Sequence, residues 1–367
     1  MPDPRVAAVA RILVDYSTDV QPGQFVVIRG KTEATPMLLA VYERALARGA
    51  HPWLQPSLGQ ADELFFSSAN DAQLNYISPL TNTFVESVDV VINVLAESNT
   101  KALSGVDPAK QAAHTKAQKP IMKRFMERSA QGELVWALGL YPTDAFAQDA
   151  EMSLRDYENF VYDACLVGEP DPVAAWQHVS EAQQSIVDAL SGKREVRVVA
   201  PDTDLTLSVE GRRWVKADGR MNLPDGEVFT GPQEQSVNGH IRFTFPACLR
   251  GREVEDVRLW FEQGKVVKAS ARKNEAFLNE MLEADEGARY LGEFAIGTNS
   301  SIQQFTKNIL FDEKIGGTVH MAIGAGYPET GSKNVSAIHW DMICDLRKEG
   351  ALYVDGEKFV EAGKVLV

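Results

Sequence analysis

Residues that bind metals or act as nucleophiles are scarce in this chain: of 367 residues only six are histidine and three are cysteine. The cysteines, Cys165, Cys248 and Cys344, lie far apart. They form no Cys-x-x-Cys pair and no even-numbered disulfide framework, and they read as buried thiols in a reducing compartment. Positive charge is also short. Lys and Arg number 37 against 51 Asp and Glu, a net charge of −14, which argues against nucleic acid or an anionic membrane as the main partner. No apolar run approaches the roughly 20 residues needed to span a bilayer. The opening Met1-Pro2-Asp3-Pro4-Arg5 lacks the basic and apolar regions of a signal peptide, so a soluble, cytoplasmic protein is expected. A nucleotide motif is missing too. The first short apolar stretch runs into Arg29-Gly30-Lys31-Thr32, which is neither Gly-x-Gly-x-x-Gly nor a P-loop, so no dinucleotide or phosphate cofactor is expected.

What is present is ordinary in bulk and informative in order. At 44% hydrophobic and 24% charged residues, the chain has a globular composition, and its length favours two domains. The first half alternates helical and strand-like segments. Val6, Val9, Leu13 and Tyr16 repeat at helical spacing, Phe25 to Ile28 is a short apolar strand, and Thr35-Pro36 reads as an N-cap followed by proline in the first turn. Gly49 reads as the end of that helix. Further strands are expected at Trp53-Leu54, Val88 to Leu95 and Leu134 to Leu138, the rhythm of a parallel sheet covered by helices. After Gly168-Glu169-Pro170-Asp171-Pro172, a long helix is expected to about Leu190. From Val196 the pattern has period two, with a hairpin at Gln263-Gly264 and one helix from about Glu275 to Ala284. The expectation is an α/β protein with an N-terminal α/β domain (1–192) serving as scaffold, dimerisation surface or substrate gate. A C-terminal β-rich domain (193–367) carries the chemistry.

The chemistry concentrates in that second half. In Ile338-His339-Trp340-Asp341, strand alternation sends His339 and Asp341 to one face and Trp340 to the other. His320 lies in a similar segment, Gly317-Thr318-Val319-His320-Met321. An imidazole converging with a carboxylate suits a divalent metal of the zinc or iron kind, or else a structural His–Asp hydrogen bond. Glu293 sits in the apolar run Leu291-Gly292-Glu293-Phe294-Ala295-Ile296, where a bare carboxylate is costly unless paired or bound to a cation. Glu227 follows the turn-like Leu223-Pro224-Asp225-Gly226. Glu313, between Asp312 and Lys314, has the flanks of a solvent-exposed residue. Tyr327 follows the flexible Gly324-Ala325-Gly326. Four carboxylates and two imidazoles exceed what one divalent ion needs and suit two, with one carboxylate shared.

The segments Asn222 to Thr230, Leu291 to Asn299, Gly317 to Gly324 and Ser336 to Met342 together resemble the thermophilic-type metallo-aminopeptidase family, that of aminopeptidases T and S. The resemblance extends over nearly the whole chain. It implies a metal-dependent hydrolase that removes N-terminal residues from peptides with a free amine, working as a homodimer. It implies two divalent ions per chain (Zn, Co, Mn or Mg) held by Glu227, Glu293, Glu313, His320, His339 and Asp341. Glu293 would bridge the ions, and Tyr327 would support the oxyanion or a proton transfer. Two other readings fit parts of the pattern. His320, His339 and Asp341 alone make the ligand set of a non-haem iron, ring-cleaving dioxygenase, a chemistry found in a divergent relative of the family. A metal-stabilised binding module without activity is the third. The additional glutamates favour the hydrolase.

Overall fold

The computed structural model describes residues 3–249 and 251–366. By compactness the chain divides into one unit of residues up to Ala175 with Gly219–Pro224, and a second of Trp176–Asp218 with the rest from Asp225.

In the first unit, strands Phe25–Lys31, His51–Ser57, Val90–Leu95 and Val135–Leu140 pair in parallel, as their apolar runs predict. Val27 and Val91 pack with Phe84, Val85, Val88 and Leu134 into a core on this sheet. The helix expected after the first strand starts differently from its sequence signature. Thr35 is its first residue rather than its cap, because a short turn, Thr32–Ala34, precedes it and the Thr35 hydroxyl donates back to the Thr32 carbonyl. Gly49, at φ +78°, ends that helix in the left-handed conformation as expected.

The second unit has two large antiparallel sheets that share one core, and a small two-stranded sheet formed by Ala247–Leu249 and Arg252–Val254. An eight-stranded sheet begins with the hairpin Arg258–Glu262 and Lys265–Ser270, turned at Gln263-Gly264, both with positive φ. The other large sheet has five strands in the spatial order His339–Asp345, Thr318–Gly324, Leu291–Gly297, Glu227–Thr230 and Val215–Ala217. The observed division and the expected boundary at 192/193 differ in two places. In the helix Pro172–Leu190, Ile186 and Leu190 belong to the core of the second unit, and Gln183 donates to the Ala217 carbonyl and the Thr298 hydroxyl. Asn222–Leu223 pairs in parallel with Leu138 and Gly139, so a short excursion adds a fifth strand to the first unit's sheet. Among the described residues, no helix is long and apolar enough to cross a membrane.

Candidate metal centre

Strand register puts five of the six candidate ligands on one face of the five-stranded sheet. In antiparallel strands, residues opposite one another share a face. Glu227 faces Gly297, Glu293 faces Ala322, Ala322 faces Asp341, His320 faces Ala295, and His339 faces Gly324. Each of these acids and imidazoles therefore has an alanine or glycine as a cross-strand neighbour, which leaves room above the sheet. The other face carries Val228, Phe294, Ile296, Val319, Met321, Ile323, Trp340 and Met342 into the core. Trp340 turns away from His339 and Asp341, as alternation requires.

Two glycines are needed for this register. The ladder slips between Leu291 and Glu293, a bulge centred on Gly292, where a Cβ would lie 2.1 Å from the Ala325 carbonyl oxygen. Gly324 has φ +102°, and a Cβ there would lie 2.1 Å from the Ile338 carbonyl oxygen. These bare backbones let the loop carrying Tyr327 close against the sheet edge.

The ligand atoms converge. Glu227, Glu293 and His320 offer atoms within 4.8 Å of one another, as do Glu293, His339 and Asp341, and Glu313, His320 and Asp341. Glu293, His320 and Asp341 each belong to two of these groups. His320 Nε2 lies 3.0 Å from Glu227 Oε2 and 3.9 Å from Glu293 Oε1; His339 Nε2 lies 3.2 Å from Glu293 Oε2 and 3.4 Å from Asp341 Oδ1. These approaches are close but poorly directed. Glu227 Oε2, Asp341 Oδ1 and His320 Nδ1 are all buried without an aligned hydrogen-bond partner. Buried polar atoms are rarely left so, and Glu227 Oε2 beside His320 Nε2, with Asp341 Oδ1 beside His339 Nε2, fit a cation. His339 is oriented for it: its Nδ1 donates to the Ala325 carbonyl at 2.8 Å, which leaves Nε2 facing the carboxylates as the nitrogen that could hold a cation in place of a proton.

Glu313 overturns the expectation of exposure. Its neighbours Asp312 and Lys314 are both buried, Lys314 completely at 0% exposure. The short helix Ile309–Asp312 is capped by Asn308, and Asp312 accepts from the Thr306 amide at 2.7 Å and its hydroxyl at 2.9 Å. This turns the charged run inward. Lys314 hydrogen-bonds to Glu313 and lies 3.5 Å from Glu227 Oε1 and 3.9 Å from Asp225 Oδ1. Its position inside the cluster was not anticipated from the sequence, although Leu310, Phe311 and Ile315 around it are the marks of a buried segment.

The electrostatics are those of acids crowded around few positive charges. Burial raises the Glu227 carboxyl, but Lys314 and His320 outweigh it and hold it below the ordinary range. Glu293 is pushed up by burial, which His339 only partly offsets. Glu313 rises to about 8 through burial, against the pull of Lys314. Burial opposes charge on both imidazoles, yet Glu227 and its neighbours lift His320 to about 9, and Asp341 with Glu293 lifts His339 to about 12. Asp341 falls, since His339 overcomes the cost of its burial. Tyr327 is 39% exposed as a residue, but its hydroxyl comes within 3.5 Å of His339 Nε2, and its ring packs at 5.5 Å from Phe229 and 5.0 Å from His339. Burial of that hydroxyl and the nearby carboxylates push its pKa well up, so it keeps its proton.

Comparison with known proteins bears on the family and the fold. The profile of the thermophilic metalloproteases (M29) matches residues 3–364. Aminopeptidase 2 of Geobacillus stearothermophilus is 28% identical over 344 residues, covering 87% of this chain and 83% of its own. The solved structure of wild-type AmpT from Thermus thermophilus superposes with a TM-score of 0.85 at 25% identity, covering 99% of both chains. A 2,5-dihydroxypyridine dioxygenase from Pseudomonas putida shares the fold at a TM-score of 0.59 and 14% identity, covering 99% of this chain and 97% of its own.

Proposed function

The chain belongs to the thermophilic metalloprotease family, and we propose on that premise that it is a metal-dependent aminopeptidase working with two divalent ions. The observation that carries this reading is the overlap of the ligand groups. Glu227, Glu293 and His320 share Glu293 with His339 and Asp341, the arrangement expected of a bridging carboxylate between two ions. Glu313, grouped with His320 and Asp341, completes the set. A single-metal oxygenase needs only His320, His339 and Asp341, and leaves the buried Glu227 and Glu293 without a role.

Bound divalent ions would supply a water activated near neutral pH and a polarised substrate carbonyl. The residues supply the rest. The Ala325 carbonyl fixes the orientation of His339, and Glu293 faces both imidazoles. Tyr327, protonated and open to solvent on one side, is the donor placed to meet a developing oxyanion or to pass a proton. The excess of carboxylates favours a substrate that presents an α-amine rather than a carboxylate. That amine titrates near 7.7–8.0 in its unperturbed state, so turnover is expected to rise through mildly alkaline pH.

The same proposal takes the working form to be a homodimer and the N-terminal α/β unit to act as scaffold, dimer surface or substrate gate. A cytoplasmic setting fits a chain with only three cysteines, Cys165, Cys248 and Cys344, spaced far apart in the sequence. The direct test supplies a metal-loaded chain with a peptide and its N-acetylated counterpart. Stepwise release of single residues from the free-amine peptide alone supports the aminopeptidase. Equal cleavage of both, or internal cleavage first, contradicts it.

A further inference from the structure

Lys314 is the cation the site already contains. Its side chain is fully buried, and three carboxylates surround its ammonium: Glu313, to which it donates, Glu227 at 3.5 Å and Asp225 at 3.9 Å. Burying a lysine is costly unless such partners compensate it. The contacts are selective at the level of atoms. Lys314 faces Glu227 Oε1 and Glu313 Oε1, whereas Glu227 Oε2 turns to His320 and lacks an aligned partner. The ammonium thus engages one oxygen of Glu227 and leaves the other for a metal.

The ligand groups are unequal in this respect. Glu227 and Glu313, which flank His320, share their charge with Lys314. Glu293, His339 and Asp341 make no ion pair with a lysine or arginine among the described residues, although Glu293 and Asp341 each also group with His320 and Asp341 feels the Lys314 charge at longer range; their close charged contacts are with the imidazoles. A fixed positive charge beside one position repels a divalent cation there more than at the farther one.

We infer that Lys314 is a positioning residue that makes the two metal positions unequal, holding the Glu227–His320 position as the weaker, more readily exchanged one. It also orients Glu227 and Glu313 to offer one oxygen each. The inference rests on the two-metal reading above, and its test counts ions rather than turnover, so the two can fail separately.

The experiment is a calorimetric titration of the metal-free full chain with Co²⁺, with bound metal checked by elemental analysis, on wild type, Lys314→Met and Asp225→Asn. Wild type is expected to take up two ions in steps at least about tenfold apart. Lys314→Met removes the charge while keeping the length, and should tighten the weaker step about tenfold or more with a much smaller change in the tighter one. Asp225→Asn removes a counter-charge to Lys314 and should weaken the same step several-fold. A lysine with a merely structural role would lower stability in Lys314→Met without changing the spacing of the steps. Fewer than two ions in wild type overturns the two-metal reading and the inference with it. Two ions with equal steps, or a weaker step that Lys314→Met leaves unchanged or loosens, overturn the inference alone. If Lys314→Met does not fold, an unchanged weaker step in Asp225→Asn overturns it.

Discussion

Along the strand Leu291–Gly297, Phe294 and Ile296 enter an apolar core, while Glu293, Ala295 and Gly297, one residue out of step, face the metal centre. The next strand, Thr318–Gly324, repeats the division: Val319, Met321 and Ile323 on one side, His320, Ala322 and Gly324 on the other. Both strands are buried from end to end, so burial does not distinguish the faces. Side-chain size and charge do. The core face is filled by large side chains packed to a common interior, where lost volume costs stability. In these two strands the opposite face is kept low by Ala295, Gly297, Ala322 and Gly324, and its tall residues, Glu293 and His320, are ones able to bind a cation. One face holds the sheet together and the other holds its chemistry, and changes to each should separate these effects.

The largest separation is expected at Glu293. Glu293→Gln keeps the shape of the side chain but removes charge shared between two ligand groups, so it should lower bound metal and cut turnover by about 10³-fold, with little change in secondary structure. Circular dichroism and metal analysis on one preparation check this, and normal turnover would contradict the bridging role. Tyr327→Phe should keep both ions and lose about 10²-fold in turnover; loss of metal in this variant would make Tyr327 a ligand instead. A matched pair tests the faces against one another. Met321→Ala opens a cavity in the core and should cost about 2–5 kcal/mol of stability while leaving metal affinity alone. Ala322→Leu fills the space between Glu293 and Asp341 and should weaken metal binding about 10- to 100-fold. The division of labour fails if the two variants exchange these phenotypes.

The last effect concerns pH. His320, raised to about 9, and Glu313, raised to about 8, hold more protons in the folded metal-free chain than in the unfolded one. For His320 the stabilisation is complete below its unfolded pKa near 6.5 and is lost as pH rises through 9. For Glu313, ionisation is delayed until about 8, so stability also falls as pH rises from 4.5 through that value. His339, raised to about 12, also keeps its proton over this range and adds to the loss, so the metal-free chain should lose several kcal/mol, on the order of 5, between pH 6.5 and 9. Binding a cation requires those protons to leave, so the gain in Tm on adding metal should grow over the same range. Thermal melts at several pH values, with and without metal, decide it; a gain that shrinks with pH is the contrary result.

These faces were unevenly legible in the sequence. Glu293 stood out because it interrupts an apolar run, and His339 and Asp341 because their spacing matches strand alternation. The parallel sheet was legible from its short apolar strands. Two local features were not. Asp312-Glu313-Lys314 looks like a solvated charge run, and only tertiary packing, which buries Asp312 on Thr306 and Lys314 among acids, shows otherwise. Asn222–Leu223 is too short to declare itself a strand, and its partner, Val135–Leu140, is distant in the chain. The helix Pro172–Leu190 was expected at about its true length, but which unit it packs on depends on contacts such as Gln183 with Thr298 that no local pattern encodes.

The central claim is that one sheet face holds two ions through a shared carboxylate and hydrolyses peptides from the amino end with them. It is tested most directly by counting metal per chain while activity on a free-amine peptide is restored to a chelated preparation. The account predicts no hydrolysis in the metal-free chain, full activity at two ions per chain, and failure of Glu293→Gln to retain both. Full hydrolysis in the rigorously metal-free chain, or full activity at a single ion per chain, would contradict it.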